Sequence, residues 1–249
     1  MSSPYVIKTR VDPTSYEHAA SQVVTWAHTG ERRYVCAANV HMVMEAYDSA
    51  EFQRIVNAAA LVTPDGMPLV WMLRRLGYPD QQRVYGPDLT LHVAHEAVKK
   101  GVPVGLYGSS PETIQAFQRF LETEYPGIQV QYAYSPPFRE LTREEDAQVV
   151  RDINNSGARI LFVGLGCPKQ ERWMAAHLNY LNLVMLGVGV AFDFHAGHKL
   201  QAPGWMQKIG LEWLFRLLTE PRRLWQRYLY NNPRFMILAA WQLFWQKRP

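Results

Sequence analysis

Residues 158–171 read Ala-Arg-Ile-Leu-Phe-Val-Gly-Leu-Gly-Cys-Pro-Lys-Gln-Glu, and this stretch decides the fold. From Ala158 to Gly164 the run is almost continuously apolar, as expected of a strand buried on both faces in a parallel sheet. Gly164-Leu165-Gly166 turns the chain, and Pro168 opens a helix that reaches to about Asn179. A second apolar run, Leu183 to Phe192, follows that helix.

The same alternation extends towards the N-terminus. Val102 to Tyr107 is a short apolar run, and Ser110-Pro111 then caps and opens a helix predicted to stop before Pro126-Gly127. Ile128, Val130 and Tyr132 alternate with polar residues like a half-exposed strand, and Thr142-Arg143-Glu144-Glu145 is a capping box. Short strands are expected at 34–38 and 59–63, with helices near 40–57, 67–77 and 88–100. Strands separated by helices require crossover connections, so the fold class is α/β, with a Rossmann-like, mostly parallel sheet flanked by helices. Beyond Pro203 the strand signal ends. Helical pieces are expected near 205–219, 222–231 and 234–246, broken at Pro221 and Pro233. Residues 1–195 therefore read as the α/β body and 196–249 as a helical appendage.

Composition narrows the class. Of 249 residues, 48% are hydrophobic and 19% charged, which excludes disordered, collagen-like and disulfide-scaffold chains. Cys36 and Cys167 make no disulfide framework and fit a reducing cytosol. The start MSSPYVIKTR lacks the apolar core of a secretory signal, and no run of about 18 apolar residues predicts a spanning helix. Charge is unevenly placed. Residues 196–249 hold nine Lys/Arg, including Lys247 and Arg248, against only Glu212 and Glu220, together with five of the eight tryptophans. A basic, Trp-rich tail on a mildly acidic body suits a polyanion or an anionic membrane surface. No nucleic-acid-binding motif accompanies the charge. Arg216, Arg223, Arg227 and Arg234 fall on roughly one helical face, with Trp213, Trp225, Trp241, Trp245, Tyr228 and Tyr230 as interfacial aromatics. An ordinary solvated basic face is the competing reading.

Ligands of open α/β sheets sit beyond the carboxyl ends of the strands. The residues expected there are Asn39, Pro64-Asp65-Gly66, Gly108-Ser109, Ser135-Pro136-Pro137-Phe138, Leu165 to Glu171 and Asp193. Together they predict a cleft for a phosphate-bearing ligand. Asp65, at a strand end, is the candidate base, although Pro-Asp-Gly is also an ordinary turn. Gly164-Leu165-Gly166 lacks the third glycine of a dinucleotide fingerprint. Asp193, His195 and His198, or His92 with His95, are weak metal candidates without a known ligand spacing. No Asp-x-Asp occurs to hold a divalent ion on a sugar nucleotide, so metal-free chemistry is expected, with arginines or helix dipoles taking the charge.

A set of motifs in order then carries a resemblance. They are Ala37-Ala38-Asn39-Val40, Thr63-Pro64-Asp65-Gly66, Arg83-Val84-Tyr85-Gly86-Pro87-Asp88-Leu89, Leu106-Tyr107-Gly108, Ser135 to Phe138, Gly164 to Glu171, Gly187-Val188-Gly189 with Phe192-Asp193, and Ala202-Pro203 through Gly210–Arg216 to Glu220–Leu224. In this order they resemble the WecG/TagA/CpsF glycosyltransferases of bacterial envelope polysaccharide synthesis. The resemblance implies inverting transfer of a sugar from a nucleotide donor, usually a UDP-sugar, to a sugar on a polyprenyl diphosphate, with neither cofactor nor metal. It implies Asp65 as base and substrate contacts from Asn39 and Gln170, with Asp193 near the nucleotide. Gly86, Asp88, Gly108, Phe138, Gly164, Gly166 and Glu171 lie in the matched stretches and complete the expected substrate cleft. The appendage would dock on the cytoplasmic face of the membrane and bring arginines over the active site, with Arg216 and Arg223 the best matches; together with Arg227, from the basic face of the tail, they are the residues expected to grip the acceptor diphosphate. Many members carry Thr where this chain has Ala37, which removes a hydroxyl from the cleft. A homo-oligomer is left open. The rival classes are a dinucleotide-dependent oxidoreductase and a non-catalytic nucleotide-binding membrane scaffold.

Overall fold

A computed structural model describes residues 3–246, so Lys247 and Arg248 of the basic tail lie outside the described residues. The chain begins with an antiparallel pair, β1 (Tyr5–Val6) and β2 (Thr9–Arg10), and helix α1 (Tyr16–His28). Next come β3 (Arg33–Ala38), α2 (Val40–Asp48), α3 (Ala50–Ala58), β4 (Leu61–Pro64), α4 (Met67–Arg75), α5 (Gly86–Lys100), β5 (Val104–Gly108) and α6 (Pro111–Glu124). The body continues with β6 (Val130–Tyr134), α7 (Arg143–Ser156), β7 (Ile160–Gly164), α8 (Lys169–His177), β8 (Val184–Gly187) and α9 (Ala191–His195). Helices α10 (Gly204–Lys208), α11 (Glu212–Thr219) and α12 (Pro221–Gln246) follow.

Six strands form one sheet in the order β4-β3-β8-β7-β5-β6, and every neighbouring pair is parallel. The continuous apolar run of β7 follows from this position. Ile160 and Phe162 join the core on one face, and Leu161 and Val163 join the core on the other. A strand covered on both faces has no solvent side on which to place polar residues. Edge strand β6 keeps the alternation read from its sequence and stays partly exposed. Side-chain caps start several helices: Ser110 accepts from the Thr113 N–H, and Thr142 and Glu145 form the expected capping box.

The elements differ from the sequence reading in several places, and the piece expected near 205–219 is two helices, α10 and α11. Helix α1 and the β1–β2 pair were not legible. The predicted helix over 40–57 is two helices, because Ser49 adopts an extended conformation and caps α3 through the Phe52 N–H. The apolar run from Leu183 to Phe192 is a strand only to Gly187, after which Gly189 takes φ +53° and α9 begins at Ala191. The expected break at Pro233 does not occur, since α12 runs through it. Leu224, Asn231, Phe235 and Ala239 are all buried and recur at helical spacing, so tertiary packing holds both halves on one line. Phe235 and Ala239 join the same core cluster as Met42 and Val43 of α2. Arg234 forks onto Asp48 at 2.6 and 2.9 Å, and the Gln242 amide bridges the Ile7 N–H and the Tyr5 carbonyl.

Gly108 sets the spacing of the sheet edge that carries the cleft. Its φ is +123°, and a Cβ there would lie 2.6 Å from the Gly164 carbonyl carbon and oxygen. The next amide, Ser109 N–H, donates to that same carbonyl at 3.1 Å. Gly108→Ala is therefore expected to destabilise the fold by about 3 kcal/mol, from left-handed strain plus a backbone clash. Urea unfolding would measure this, and stability equal to wild type would contradict the packing account.

Candidate active site

The carboxyl ends of β3, β4, β5, β7 and β8 open on one side of the sheet, and helices α10–α12 cover that opening. Between them lies a cavity of about 1120 Å³. The strand ends contribute Asn39, Asp65, Ser109, Gly164, Gly166 and Val188, and the C-terminal helices contribute Glu212, Arg216, Arg223 and Arg227. Ligand sites at this edge are the rule for parallel sheets, because the loops there are free to vary over a rigid frame.

Asp65 is fixed by the ends of two strands. Its N–H donates to the Ala38 carbonyl at 2.9 Å and to the Thr63 carbonyl at 3.0 Å, and Gly66 then caps α4. The Pro-Asp-Gly turn is present, and it places Asp65 at the cavity. The Asp65 side chain is only 13% exposed. Oδ2 accepts from Asn39 Nδ2 at 3.3 Å, and Oδ1 accepts from the Gly86 N–H at 3.3 Å. Asn39 Oδ1 accepts from the Met42 N–H as the cap of α2, which orients the amide with Nδ2 towards Asp65. Burial pushes the Asp65 pKa up to about 6, with the Arg83 cation opposing and Glu212 adding to the rise. The group is ionised near neutral pH and retains a useful affinity for a proton.

Most residues singled out from the sequence line the cavity: Asn39, Asp65, Gly86, Phe138, Gly164, Gly166, Gln170, Asp193, Arg216, Arg223 and Arg227. Asp88, Gly108 and Glu171 stand behind it. Asp88 accepts from the Tyr16 hydroxyl at 3.2 Å, and that hydroxyl accepts from the Tyr85 N–H at 3.0 Å. Gly108 spaces the two strand ends. Glu171 is fully buried, and its Oε1 accepts from Gln170 Nε2 at 2.7 Å. Burial raises the Glu171 pKa to about 7. Gln170 Oε1 accepts from the Gly166 N–H at 3.1 Å, so the Gln170 amide is held from both ends.

The residues weighed as metal ligands go to separate neighbours. His195 Nε2 lies 3.0 Å from the Pro87 carbonyl, His198 Nδ1 lies 2.8 Å from Thr113 Oγ1, and Asp193 faces Lys199 Nζ at 3.7 Å. His92 stacks on Tyr16 at 4.6 Å between centroids.

The far wall of the cavity is cationic. The Nε atoms of Arg216 and Arg227 are buried without a hydrogen-bond partner, and no carboxylate among the described residues forms an ion pair with either side chain. Burial lowers the Arg227 pKa, and Arg216 and Arg223 add to that effect. An anion of several charges would relieve this cost by charge-assisted bonds. Arg223 is tied to Glu220 at 2.6 Å and is the most exposed of the three by side chain at 52%.

Sequence reasoning did not single out Arg83, Tyr85, His41 or Glu212 as site residues. Arg83 Nη2 lies 2.5 Å from Glu212 Oε2 and 3.6 Å from Asp65 Oδ1, and the Tyr85 hydroxyl donates to Glu212 Oε1 at 3.0 Å. His41 lines the cavity, and burial beside Arg227 drops its pKa to about 3, which keeps it neutral. For Glu212 a signal existed: it is one of two carboxylates in a strongly basic segment.

The cavity thus joins an acidic group of raised proton affinity to a wall of buried arginines, across a sheet edge suited to a phosphate-bearing ligand. The sequence matches the family described as Glycosyl transferase WecG/TagA/CpsF over residues 4–249, nearly the whole chain. The chain belongs to this family and is a glycosyltransferase of envelope polysaccharide synthesis.

Proposed function

We propose that the protein transfers a sugar, with inversion, from a UDP-sugar to a sugar carried on a polyprenyl diphosphate at the cytoplasmic face of the cell membrane. The observation that carries this reading is the pairing of Asp65 with the arginine wall in one cavity. Asp65 takes the proton of the acceptor hydroxyl while that oxygen bonds to the anomeric carbon of the donor. The bond from that carbon to the nucleotide diphosphate breaks on the opposite face, and the diphosphate leaves with the electron pair. Asn39 orients Asp65, and Gln170 presents its amide to the donor. The backbone around Gly164 and Gly166, together with Asp193, borders the nucleotide. Arg216, Arg223 and Arg227 hold the acceptor diphosphate and stabilise charge as it develops, so the step runs without a metal ion. Membership in a glycosyltransferase family leaves no support for the oxidoreductase or the inert scaffold.

The membrane part of the proposal rests on residues 196–249 acting as an appendage to the body of residues 1–195. No helix among the described residues is long and apolar enough to cross a membrane. Helices α10–α12 nevertheless expose Trp205, Ile209, Leu218, Trp225, Met236, Ile237 and Trp241. Such a density of large apolar side chains, interleaved with basic ones, suits the interface of an anionic bilayer. Each basic residue near that surface adds about 1 kcal/mol of attraction.

Two experiments test the proposal. With a panel of nucleotide sugars and a soluble short-chain lipid acceptor, mass analysis should show one added sugar. Asp65→Asn should lower turnover by about 10²–10⁴-fold while nucleotide affinity stays within a few-fold; near wild-type turnover would remove Asp65 from the role of base. Separately, Ile237→Ser with Trp241→Ser should release the protein from anionic vesicles and leave transfer to the soluble acceptor intact. Arg216→Gln with Arg227→Gln should do the reverse, losing transfer and keeping vesicle binding. If the arginine pair proves dispensable with the soluble acceptor, the arginines serve anchoring alone.

A further inference from the structure

Glu212 is a carboxylate that the C-terminal helices insert into the cleft. It is the first residue of α11, and its side chain is 12% exposed. Its partners, Arg83 and Tyr85, belong to the segment leading into α5. The Arg83 guanidinium carbon lies over the Tyr85 ring, 3.8 Å from the centroid, and its Nε donates to the Asp65 backbone carbonyl. The guanidinium is therefore fixed in place, and a single nitrogen, Nη2, serves both carboxylates. It is 2.5 Å from Glu212 Oε2 and 3.6 Å from Asp65 Oδ1.

This geometry matters for a base. An arginine whose charge is not balanced stabilises a neighbouring carboxylate and weakens its hold on a proton. An arginine already paired with another carboxylate does so far less. We propose that Glu212 is a positioning residue for the transfer: seated on the body through α11, it balances the Arg83 charge beside Asp65 and so allows Asp65 to accept the proton of the attacking hydroxyl. The inference rests on Asp65 being the base, as proposed above.

The other groups around the pair do not carry this effect. Asp65 faces Arg83, Glu212 and the phenols of Tyr85 and Tyr16, besides the uncharged Asn39 amide and Gly86 N–H. Burial holds both phenols protonated well above their ordinary range. Glu212 in turn faces Arg83, Tyr85, Arg216 of its own helix and Tyr228 of α12. Only Arg83 and Glu212 bring charge to Asp65 from this set. With α11 displaced, Arg83 would have Asp65 as its nearest carboxylate, and the base would be weak. Seating of the C-terminal helices thus both completes the cationic wall and raises the basicity of Asp65, which ties activation of a nucleophile to the docked state.

The ¹³C carboxyl signal of Asp65 in the full chain, assigned by its loss in Asp65→Asn, tests this without relying on turnover. The wild-type signal should titrate with a midpoint near 6. In Glu212→Gln the midpoint should fall by about one unit or more, as expected when an arginine's charge is no longer balanced. The acidic limb of the pH–rate profile should move to lower pH by the same amount, with a lower plateau from the weaker base. Glu212→Asp keeps the charge on a shorter arm and should give an intermediate midpoint, which also serves if the Gln variant fails to fold. An Asp65 midpoint unmoved in the folded variants would overturn the proposal. A midpoint that moves without the acidic limb following would instead overturn Asp65 as the base.

Discussion

Arg83 is a buried cation held between two carboxylates from different parts of the chain, and much of the site depends on that arrangement. Asp65 reaches it from the end of β4, and Glu212 reaches it from the start of α11. Removing one partner of a buried ion pair costs about 3–5 kcal/mol, because the remaining charge stays in a medium that solvates it poorly. The sheet edge and the C-terminal helices are therefore joined beside the carboxylate proposed to take up the proton. Without Arg83 the two acids would repel each other across the cleft, and without Glu212 the arginine would hold Asp65 in its ionised form.

The rest of the fold places this cluster. Parallel strands buried on both faces bring several loops to one rigid edge, and close backbone contact between Gly108 and Gly164 fixes that edge between β5 and β7. On the other side, α12 has three directions of use. Leu224, Phe235 and Ala239 face the body and are buried, Arg227 lines the cavity, and Ile237 and Trp241 face outward. One helix thus packs on the core, lines the cavity with a cation and exposes an apolar surface, the last two being the features that the proposed function assigns to an acceptor diphosphate and a bilayer. This requires it to stay unbroken through Pro233, and the buried stripe on both sides of that residue keeps it so.

The amount of this legible in the sequence follows from the range of the forces involved. The strands were readable because burial on both faces leaves an unbroken apolar run, as in Ile160–Gly164, and several helix starts were readable because caps such as Ser110 and Thr142 act locally. Asp65 and the cleft-lining loops were readable because they must follow the strands. Continuity at Pro233 was not readable, since proline signals a break locally and the contacts with α2 that override it are distant in sequence. Glu212 was missed for a related reason: it stands out as one of two carboxylates in a basic segment, but its partner is 129 residues away and the local sequence does not say which arginine it meets. Asp88 and Glu171 were read as lining the cleft, yet both stand one layer behind it, because adjacency to a motif does not fix the direction of a side chain.

The most direct measurement of the central claim is the pH dependence of kcat/KM for the full chain with a soluble acceptor. Asp65 must be ionised to accept a proton, and burial has raised its pKa. The rate should therefore rise with pH through a single acidic limb near pH 6 and level off above it. A rate independent of pH from about 5 to about 8 would contradict a buried carboxylate acting as the base.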